Sequence, residues 1–301
     1  MRRSELAATL SRLSIKEEGN VETLVVDGAD SLARLKKELE HVKLLAWDCE
    51  GVNLSRIGSV TLIQFAIDRE DGGQLCFLLD MLSPIKDQLF AFAKQVLEDE
   101  SVLKVIHDPA ADADCLLHCH GITVVNVHDT QAWHMTLRRC YSRPNLNLTL
   151  EAWNLPLNTH KNASFNPYKS NPAYWASRPL TETMIQVAGG DVYTTIPLYR
   201  MQIANSFSNP TGCEQACAKS QARLQSMRSL PTFEVRVPQH EVGRFIGSRG
   251  CNINSMEIAL SGCITCDKNS DGNSFLVYTN LPQNEAKAIM RRETNGQVTI
   301  R

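Results

Sequence analysis

The stretch "KLLAWDCEGV", residues 43–52, places two acids within a run of mostly apolar residues. In a β-strand, side chains two residues apart point to the same face, so Asp48 and Glu50 would project two carboxylates together. Like charges so close raise each other's pKa unless a cation lies between them, and Mg²⁺ or Mn²⁺ prefers oxygen ligands. The same short pattern also fits a strand that ends in solvent, so the stretch alone leaves a metal site and an exposed strand end as alternatives.

The composition bounds the class of protein. The chain has 301 residues, 43% hydrophobic and 21% charged, which is typical of one large or two ordinary globular domains. No apolar run approaches the roughly 20 residues of a membrane span, so we expect no membrane partner. A net charge of −2 argues against a purely electrostatic nucleic-acid binder. The 10 cysteines lack disulfide-framework spacing and the start lacks a secretory signal, which predicts an intracellular protein of the cytoplasm or nucleus.

The order of the periodic segments predicts two units. Strand-like segments alternate with helical ones over residues 21–207, which indicates an α/β domain with a mixed β-sheet flanked by helices. Residues 1–20 precede it as an N-terminal tail, and 208–231 read as a polar, partly helical linker. Residues 232–301 follow the order strand, helix, glycine turn, helix, strand, strand, helix, which predicts a small α+β domain.

Five motifs in chain order carry a family resemblance. They are "WDCEG", "KVIHDPAADADCLL", "NVHDTQ", "YWASRPL" and "IQVAGGDVY". Each is weak alone, but together they resemble the DEDD family of 3′–5′ exonucleases, closest to its ribonuclease D-like branch. The resemblance covers roughly Val21 to Phe207 and implies a ribonuclease H-like exonuclease fold.

The resemblance also implies a site and a reaction. Four acids of the family hold two divalent cations, Mg²⁺ or Mn²⁺, over the terminal phosphodiester of RNA or single-stranded nucleic acid. The matching residues here, expected to be both catalytic and metal-binding, are Asp48, Glu50, Asp112 and Asp191. Two such ions about 3.5–4 Å apart can activate water and stabilise the leaving oxygen. Four carboxylates nearly neutralise them, so an acidic cleft can still accept a polyanion.

The third acid has rivals in "HDPAADAD". We favour Asp112 because family members place this acid five residues after His107 or its equivalent. Asp114 would point about 200° around the helix from Asp112. Asp108 reads as a strand-exit or capping residue, and Asp129 matches a family position that is usually structural.

The sequence departs from the family pattern just before the last acid. The ribonuclease D-like branch has a tyrosine four residues before that acid and a sister branch has a histidine five before, where this chain has Val187 and Gln186. Neither can abstract a proton, and a general base contributes about 10²–10⁴ in rate. Tyr193, two residues beyond Asp191, lies near the opposite side of the helix and is not expected to replace it. The sequence therefore predicts a slow nuclease, with an inactive RNA-binding adaptor as the alternative.

A second resemblance lies in "VGRFIGSRGCNI", residues 242–253. This stretch and its flanking elements resemble the KH RNA-binding module of type I, with the order β-α-α-β-β-α. Glycines without a Cβ let backbone amides approach the sugar–phosphate chain of about four nucleotides. A helix–turn–helix loop with incidental glycines is the alternative. The implied RNA-binding residues are Ile246, Gly247, Ser248, Arg249, Gly250 and Ile253.

A dense group of cysteine and histidine residues follows Asp112. Cys115, His118 and Cys119 would share one helical face, but a zinc site needs a fourth ligand in good geometry. Reduced cysteine is among the most buried residue types. We therefore expect Cys115 and Cys119 to pack against the sheet.

Overall fold

The computed structural model describes two sheets with their helices. It covers residues 21–139, 143–161, 171, 173–206, 210–266 and 272–301, without the side chains of residues 206, 210, 223, 226–229, 249 and 266. The strands are β1 Val21–Val26, β2 Leu44–Val52, β3 Ser59–Asp68, β4 Gln74–Asp80, β5 Leu103–Ile106, β6 Val127–Asp129, β7 Thr232–Arg236, β8 Cys263–Cys266 and β9 Ser274–Tyr278. The helices are α1 Ala29–Leu39, α2 Lys86–Leu97, α3 Ala110–His120, α4 Thr130–Leu137, α5 Leu146–Ala152, α6 Glu182–Tyr193, α7 Thr195–Ser206, α8 Pro210–Ser229, α9 Val242–Ile246, α10 Cys251–Leu260 and α11 Gln283–Glu293.

The first sheet is mixed and has the strand order β1-β4-β3-β2-β5-β6. The pairs β1–β4, β2–β5 and β5–β6 are parallel, whereas β2–β3 and β3–β4 are antiparallel. Ile63 and Leu79 face a core that includes Leu35 of α1, whereas their strand neighbours Leu62 and Leu78 face α6. This alternation puts helices on both faces of the sheet. The expected α/β fold with a mixed sheet flanked by helices is confirmed.

A β-bulge interrupts the pairing of β2 with β3, which continues beyond it in a shifted register. The register shifts between Glu50 and Gly51. A Cβ on Gly51 would stand 2.0 Å from the carbonyl oxygen of Ser59, so only glycine allows the two backbones to come so close. Because bulges re-aim side chains and increase local twist, this one sets the direction of Glu50 at the end of the strand.

The C-terminal elements form a three-stranded antiparallel sheet of order β7-β9-β8 with α9, α10 and α11. Their order matches the strand, helix, helix, strand, strand, helix pattern read from the sequence. The helix α8 precedes this unit and packs on α3 and α4, with Ala216, Ser220 and Leu224 buried along one face. The domain boundaries at 207 and 232 stay predictions. Within the described residues, no helix is long and apolar enough to cross a membrane.

The two units meet at α3. Asp114 of α3 is fully buried, pairs with Arg56 at 2.8 Å and accepts a hydrogen bond from the Tyr278 hydroxyl at 3.3 Å. The guanidinium of Arg56 also lies 5.0 Å from the Tyr278 ring centroid. An adjoining apolar cluster contains Ala110, Cys263, Leu276 and Tyr278.

Arg143 makes a second contact between the units. It donates to the carbonyl oxygen of Ile264 in β8 at 3.0 Å and pairs with Glu257 of α10. Glu257 in turn accepts from the amide of Ile264 at 2.8 Å. Because β8 is an edge strand, these contacts satisfy backbone groups that lack a neighbouring strand.

His128 of β6 is a neutral core histidine. Its ring stacks on Trp133 with centroids 4.3 Å apart, and its Nε2 lies 2.8 Å from Oε1 of Gln202. Nε2 of Gln202 donates to the carbonyl oxygen of Thr130 at 2.8 Å, so Oε1 must accept and Nε2 of His128 carries the proton. Burial lowers the pKa of His128 to about 4.

The stability of the fold should therefore fall in acid. The pKa of His128 is below its ordinary value near 6.5, so the folded chain binds fewer protons between pH 6.5 and 4 than the unfolded chain does. The stabilisation is complete above pH 6.5 and is lost as the pH falls towards 4, by up to about 3 kcal/mol. Urea denaturation at pH 7.5, 6 and 5 should show a shallower pH dependence for His128→Phe. The exposed His41→Phe control should retain the wild-type slope, and equal slopes for all three proteins would contradict the assignment.

Candidate active site

Three acids from two elements meet where α6 covers one face of the sheet. Asp48 and Glu50 lie on β2, and Asp191 lies on α6, which packs across β2, β3 and β4. One carboxylate oxygen from each lies within 4.8 Å of the others. Histidine, cysteine, aspartate and glutamate are the side chains that commonly bind metal ions. Among the described residues, these three acids form the group of such side chains that could hold one.

Asp112 lies beside the trio but outside that 4.8 Å group. It is 3% exposed, and its Oδ1 accepts a hydrogen bond from the amide of Cys49 in β2 at 3.2 Å. Its charge is close enough to raise the pKa of Asp48. Of the four acids predicted from the sequence, three have converging carboxylates. The fourth, Asp112, is hydrogen-bonded to the backbone of Cys49, the residue between Asp48 and Glu50.

The electrostatics of Asp48 match a cation site. Burial raises the pKa of Asp48 well above its usual range, and the charges of Asp112, Asp191 and Glu50 raise the pKa further. Lys161 opposes this effect. Mutual repulsion of this kind is relieved by a positive ion, and an all-oxygen donor set suits Mg²⁺ or Mn²⁺. The residues present therefore fit a divalent cation.

The rival acids have structural roles. Asp114 is held by Arg56 and Tyr278 at the contact between the units, away from the trio. Asp129 is the N-cap of α4 and accepts from the amide of Gln131 at 2.9 Å. Asp108 follows β5 with φ 62°, but Pro109 is the N-cap of α3. Asp108 therefore lies between the end of β5 and the N-cap of α3, at the strand exit.

Two further residues contact Asp191 and were missed from the sequence. Asn158 is fully buried, and its Nδ2 donates to Oδ1 of Asp191 at 3.0 Å and to the carbonyl oxygen of Val187 at 2.9 Å. Nζ of Lys161 lies 2.9 Å from each carboxylate oxygen of Asp191. Both come from a segment more than twenty residues before α6, so neither motif spacing nor periodicity marks them.

Asn158 explains the second of the two adjacent glycines of "IQVAGGDVY". A Cβ on Gly190 would stand 2.5 Å from Cγ and Nδ2 of Asn158, whereas a Cβ on Gly189 would meet only Thr23, at 3.3 Å. Gly190 is thus required for the approach of Asn158 to α6.

Val187 stands where the family's tyrosine is expected, and its side chain is buried. It is 2% exposed and packs with Leu62, Leu78 and Trp175. Tyr193 packs instead beside Val21, in a cluster on another part of the sheet. Val187 thus places an aliphatic side chain at the tyrosine's position on α6, and Tyr193 packs in a different apolar cluster.

Of the two cysteines expected to pack against the sheet, one is buried and the other is exposed. Cys115 is fully buried in the main core as expected. Cys119 is exposed, and its thiol lies 3.4 Å from the carbonyl oxygen of Gly58, so the expectation that it packs against the sheet is wrong. His118 lies 3.6 Å from Asp114. Within the described residues, the cluster does not form a metal group.

The glycine loop of the C-terminal unit has left-handed backbone at both ends. Gly247 and Gly250 have φ values of 77° and 78°, and Ser248 lies in the short 3₁₀ turn between them. A Cβ on Gly247 would stand 2.8 Å from the amide nitrogen of Asn252. Of the six residues matched to the KH motif, Ile246 and Ile253 pack against the apolar core and anchor the loop, while the Arg249 side chain lies outside the described residues.

A family model of 3′–5′ exonucleases matches residues 24–202, which include all four acids. The chain belongs to the 3′–5′ exonuclease family. Solved structures share the exonuclease fold. Trypanosoma brucei RNase D in complex with RNA U12 has a TM-score of 0.59 at 19% identity, covering 74% of each chain. Escherichia coli RNase D has a TM-score of 0.54 at 19% identity, covering 78% of this chain and 55% of that chain.

Relatives in this exonuclease family are longer than the chain. The human piRNA biogenesis protein EXD1 is 28% identical over 174 residues, which are 52% of this chain and 32% of that protein. Human exosome complex component 10 is 27% identical over 175 residues, 58% of this chain and 18% of that protein. The matched region spans between 32% and 40% of the length of the EXD1 proteins of Xenopus laevis, Mus musculus and Homo sapiens.

The glycine pair gives a matched test of the site. Gly190→Ala forces Asn158 away from Asp191, and we expect a net loss of about 1–3 kcal/mol in unfolding free energy despite the better helix propensity of alanine. Gly189→Ala should be near neutral or slightly stabilising. Urea denaturation of both variants measures the difference. Equal stabilities would show that Asn158 does not depend on the missing Cβ.

Proposed function

We propose that the chain is a 3′–5′ exonuclease that hydrolyses phosphodiester bonds of RNA or single-stranded nucleic acid with two divalent cations, Mg²⁺ or Mn²⁺. The observation that carries this proposal is the convergence of Asp48, Glu50 and Asp191, with oxygens within 4.8 Å of one another, in a member of the exonuclease family. The RNA bound to the similar Trypanosoma brucei RNase D supports RNA as the substrate class.

Each acid has a definable part in this proposal. Asp48, Glu50 and Asp191 supply the converging oxygens that would hold the cations, and Asp112 completes the set from its position against the amide of Cys49. When bound, the cations would activate the attacking water and stabilise the leaving 3′ oxygen. The residues themselves orient the site: β2 fixes two carboxylates in register, and Asn158 fixes the rotamer of Asp191.

The C-terminal unit is proposed to be a KH module that holds the RNA. Its element order and the two left-handed glycines around Ser248 support this proposal. Backbone amides in such a turn can approach a sugar–phosphate chain closely because neither glycine carries a Cβ. This unit contacts Ala110 and Asp114 of α3, each two residues from Asp112 in the chain. These contacts keep it attached to the helix that carries an acid.

A second candidate function is an RNA-binding adaptor with little or no nuclease activity. Two observations favour it: the buried aliphatic Val187 at the tyrosine position, and the ammonium of Lys161 against Asp191. Both act on the same helix, and neither prevents RNA from binding elsewhere on the chain.

A trimming assay separates the two functions. The protein is incubated with 5′-labelled single-stranded RNA and Mg²⁺ or Mn²⁺, and shortening from the 3′ end is followed on a gel. Under the enzyme proposal, Asp48→Ala/Glu50→Ala should slow trimming by at least about a hundredfold, since even changes around metal ligands cost 10–100-fold. The exposed acid variant Glu151→Ala is the control. Equal rates for wild type and double variant would leave the adaptor as the function.

The RNA-binding proposal has its own test. Charge reversal in the loop, Arg249→Glu, should weaken single-stranded RNA binding and reduce its salt dependence. Each lost phosphate contact makes the slope of log K against log salt less negative by about 0.7. Arg236→Glu, on the exposed face of β7, is the matched charge reversal. Fluorescence anisotropy across salt concentrations measures both. An equal loss in the two variants would mean that the loop has no special part in binding.

A further inference from the structure

We propose that Lys161 is an internal counter-cation of the metal site, whose ammonium must leave Asp191 before a divalent cation can bind that carboxylate. The inference rests on the metal site of the proposed function, but it concerns cation binding and does not require that the protein cleaves RNA. It assigns a role to a residue outside the family's acid set.

The ammonium has the geometry of a bound cation. It lies 2.9 Å from both oxygens of Asp191, so it bridges the carboxylate symmetrically rather than touching one edge. It is also close enough to Asp48 and Glu50 to interact with their charges. The ammonium is therefore a positive charge beside the carboxylate that the shared cation would bind, within electrostatic range of all three acids.

The lone pairs of Asp191 leave little room for both cations. Oδ1 accepts from Nδ2 of Asn158 at 3.0 Å as well as from Lys161. A carboxylate oxygen has two lone pairs, so both lone pairs of Oδ1 are used. A metal ion that binds Asp191 through Oδ1 must displace one of the two donors. A metal ion that uses the remaining lone pair of Oδ2 would lie beside an ammonium 2.9 Å from that oxygen, and the two positive charges repel each other.

Lys161 is the donor that can move. Asn158 is fully buried, is fixed by backbone hydrogen bonds with Asn147 of 3.0 Å in each direction, and is held against Gly190. The Lys161 side chain is 41% exposed, and its long flexible stem allows the ammonium to swing into solvent. Asp191 is 2% exposed. In the absence of both a metal ion and Lys161, its charge would be buried with only the Asn158 side-chain amide as a partner.

The prediction is a gain in metal affinity on removing the lysine. Mn²⁺ is titrated into the metal-free full chain without RNA, by calorimetry and by the loss of the free Mn²⁺ electron-spin signal. We expect Lys161→Met to bind Mn²⁺ about tenfold more tightly than wild type, since displacing a charge-assisted pair costs on that order. In EDTA the same variant should melt at a lower temperature than wild type, and Mn²⁺ should raise its melting temperature by more.

Two variants isolate the charge. Lys161→Arg keeps the positive charge and should stay near the wild-type affinity. Lys94→Met removes an exposed lysine that pairs with Glu98 on α2, and should not change Mn²⁺ binding. If Lys161→Met does not fold, Lys161→Gln carries the test, because its amide keeps a donor without the charge. Mn²⁺ affinity that is unchanged or weaker in the neutral variants overturns the inference.

Mn²⁺ affinity and RNA trimming test the role of Lys161 and the nuclease proposal independently. If wild type does not trim RNA but Lys161→Met binds Mn²⁺ more tightly, the exonuclease proposal fails and the role of Lys161 stands. If wild type trims RNA and the neutral variants bind Mn²⁺ no more tightly, the nuclease proposal stands and the role of Lys161 fails.

Discussion

The repulsion among three carboxylates between the sheet and α6 is the constraint on which the rest of the site depends. Asp48 and Glu50 are forced together by the two-residue repeat of β2, and Asp191 is brought to them by α6. Such an arrangement destabilises a folded chain unless positive charge is supplied. Natural proteins retain arrangements of this kind at functional sites, where local cost is offset by the packing of the surrounding elements. Here the offset comes from a sheet with helices on both faces, which fixes β2 between β3 and β5.

A buried side chain outside the acid group, Asn158, fixes the position of Asp191. Asn158 joins the carbonyl oxygen of Val187 to the carboxylate of Asp191, one helical turn later, so a single buried amide fixes one turn of α6. Its approach needs the missing Cβ of Gly190, and the bulge at Gly51 needs another missing Cβ at the end of β2. Each of the two glycines is the chain neighbour of one acid, Gly190 of Asp191 and Gly51 of Glu50. One permits the close approach of a side chain to a helix, and the other permits the close approach of two strands.

Much of the fold follows from local pattern, and the missing parts follow from long-range contacts. The alternation of strands and helices and the same-face pair on β2 rest on periods of 2 and 3.6, which the sequence displays directly. The choice of Asp112 over Asp114 rests on the family spacing after His107. Asp114 proved to be buried beside Tyr278, a partner 164 residues away that no period indicates. The contacts of Asn158 and Lys161 with Asp191 were not predicted for the same reason, because they join residues 33 and 30 positions apart in the chain. Cys119 was misassigned because composition favours burial, whereas the end of α3 places it at the surface.

Valine in place of the family's tyrosine at position 187 is part of the packing of α6 and involves the neighbouring side chains. The Val187 side chain fills a cluster with Leu62, Leu78 and Trp175, while its carbonyl oxygen is bonded to Asn158. A tyrosine ring at this position would have to displace that cluster or add to its volume, at a cost of about 1–3 kcal/mol. Restoring the phenol alone therefore does not restore the family geometry. Any catalysis by this chain must then come chiefly from the cations held by the acids. Occupancy of the metal site, which Lys161 opposes, is accordingly the quantity that separates a nuclease from an RNA-binding adaptor.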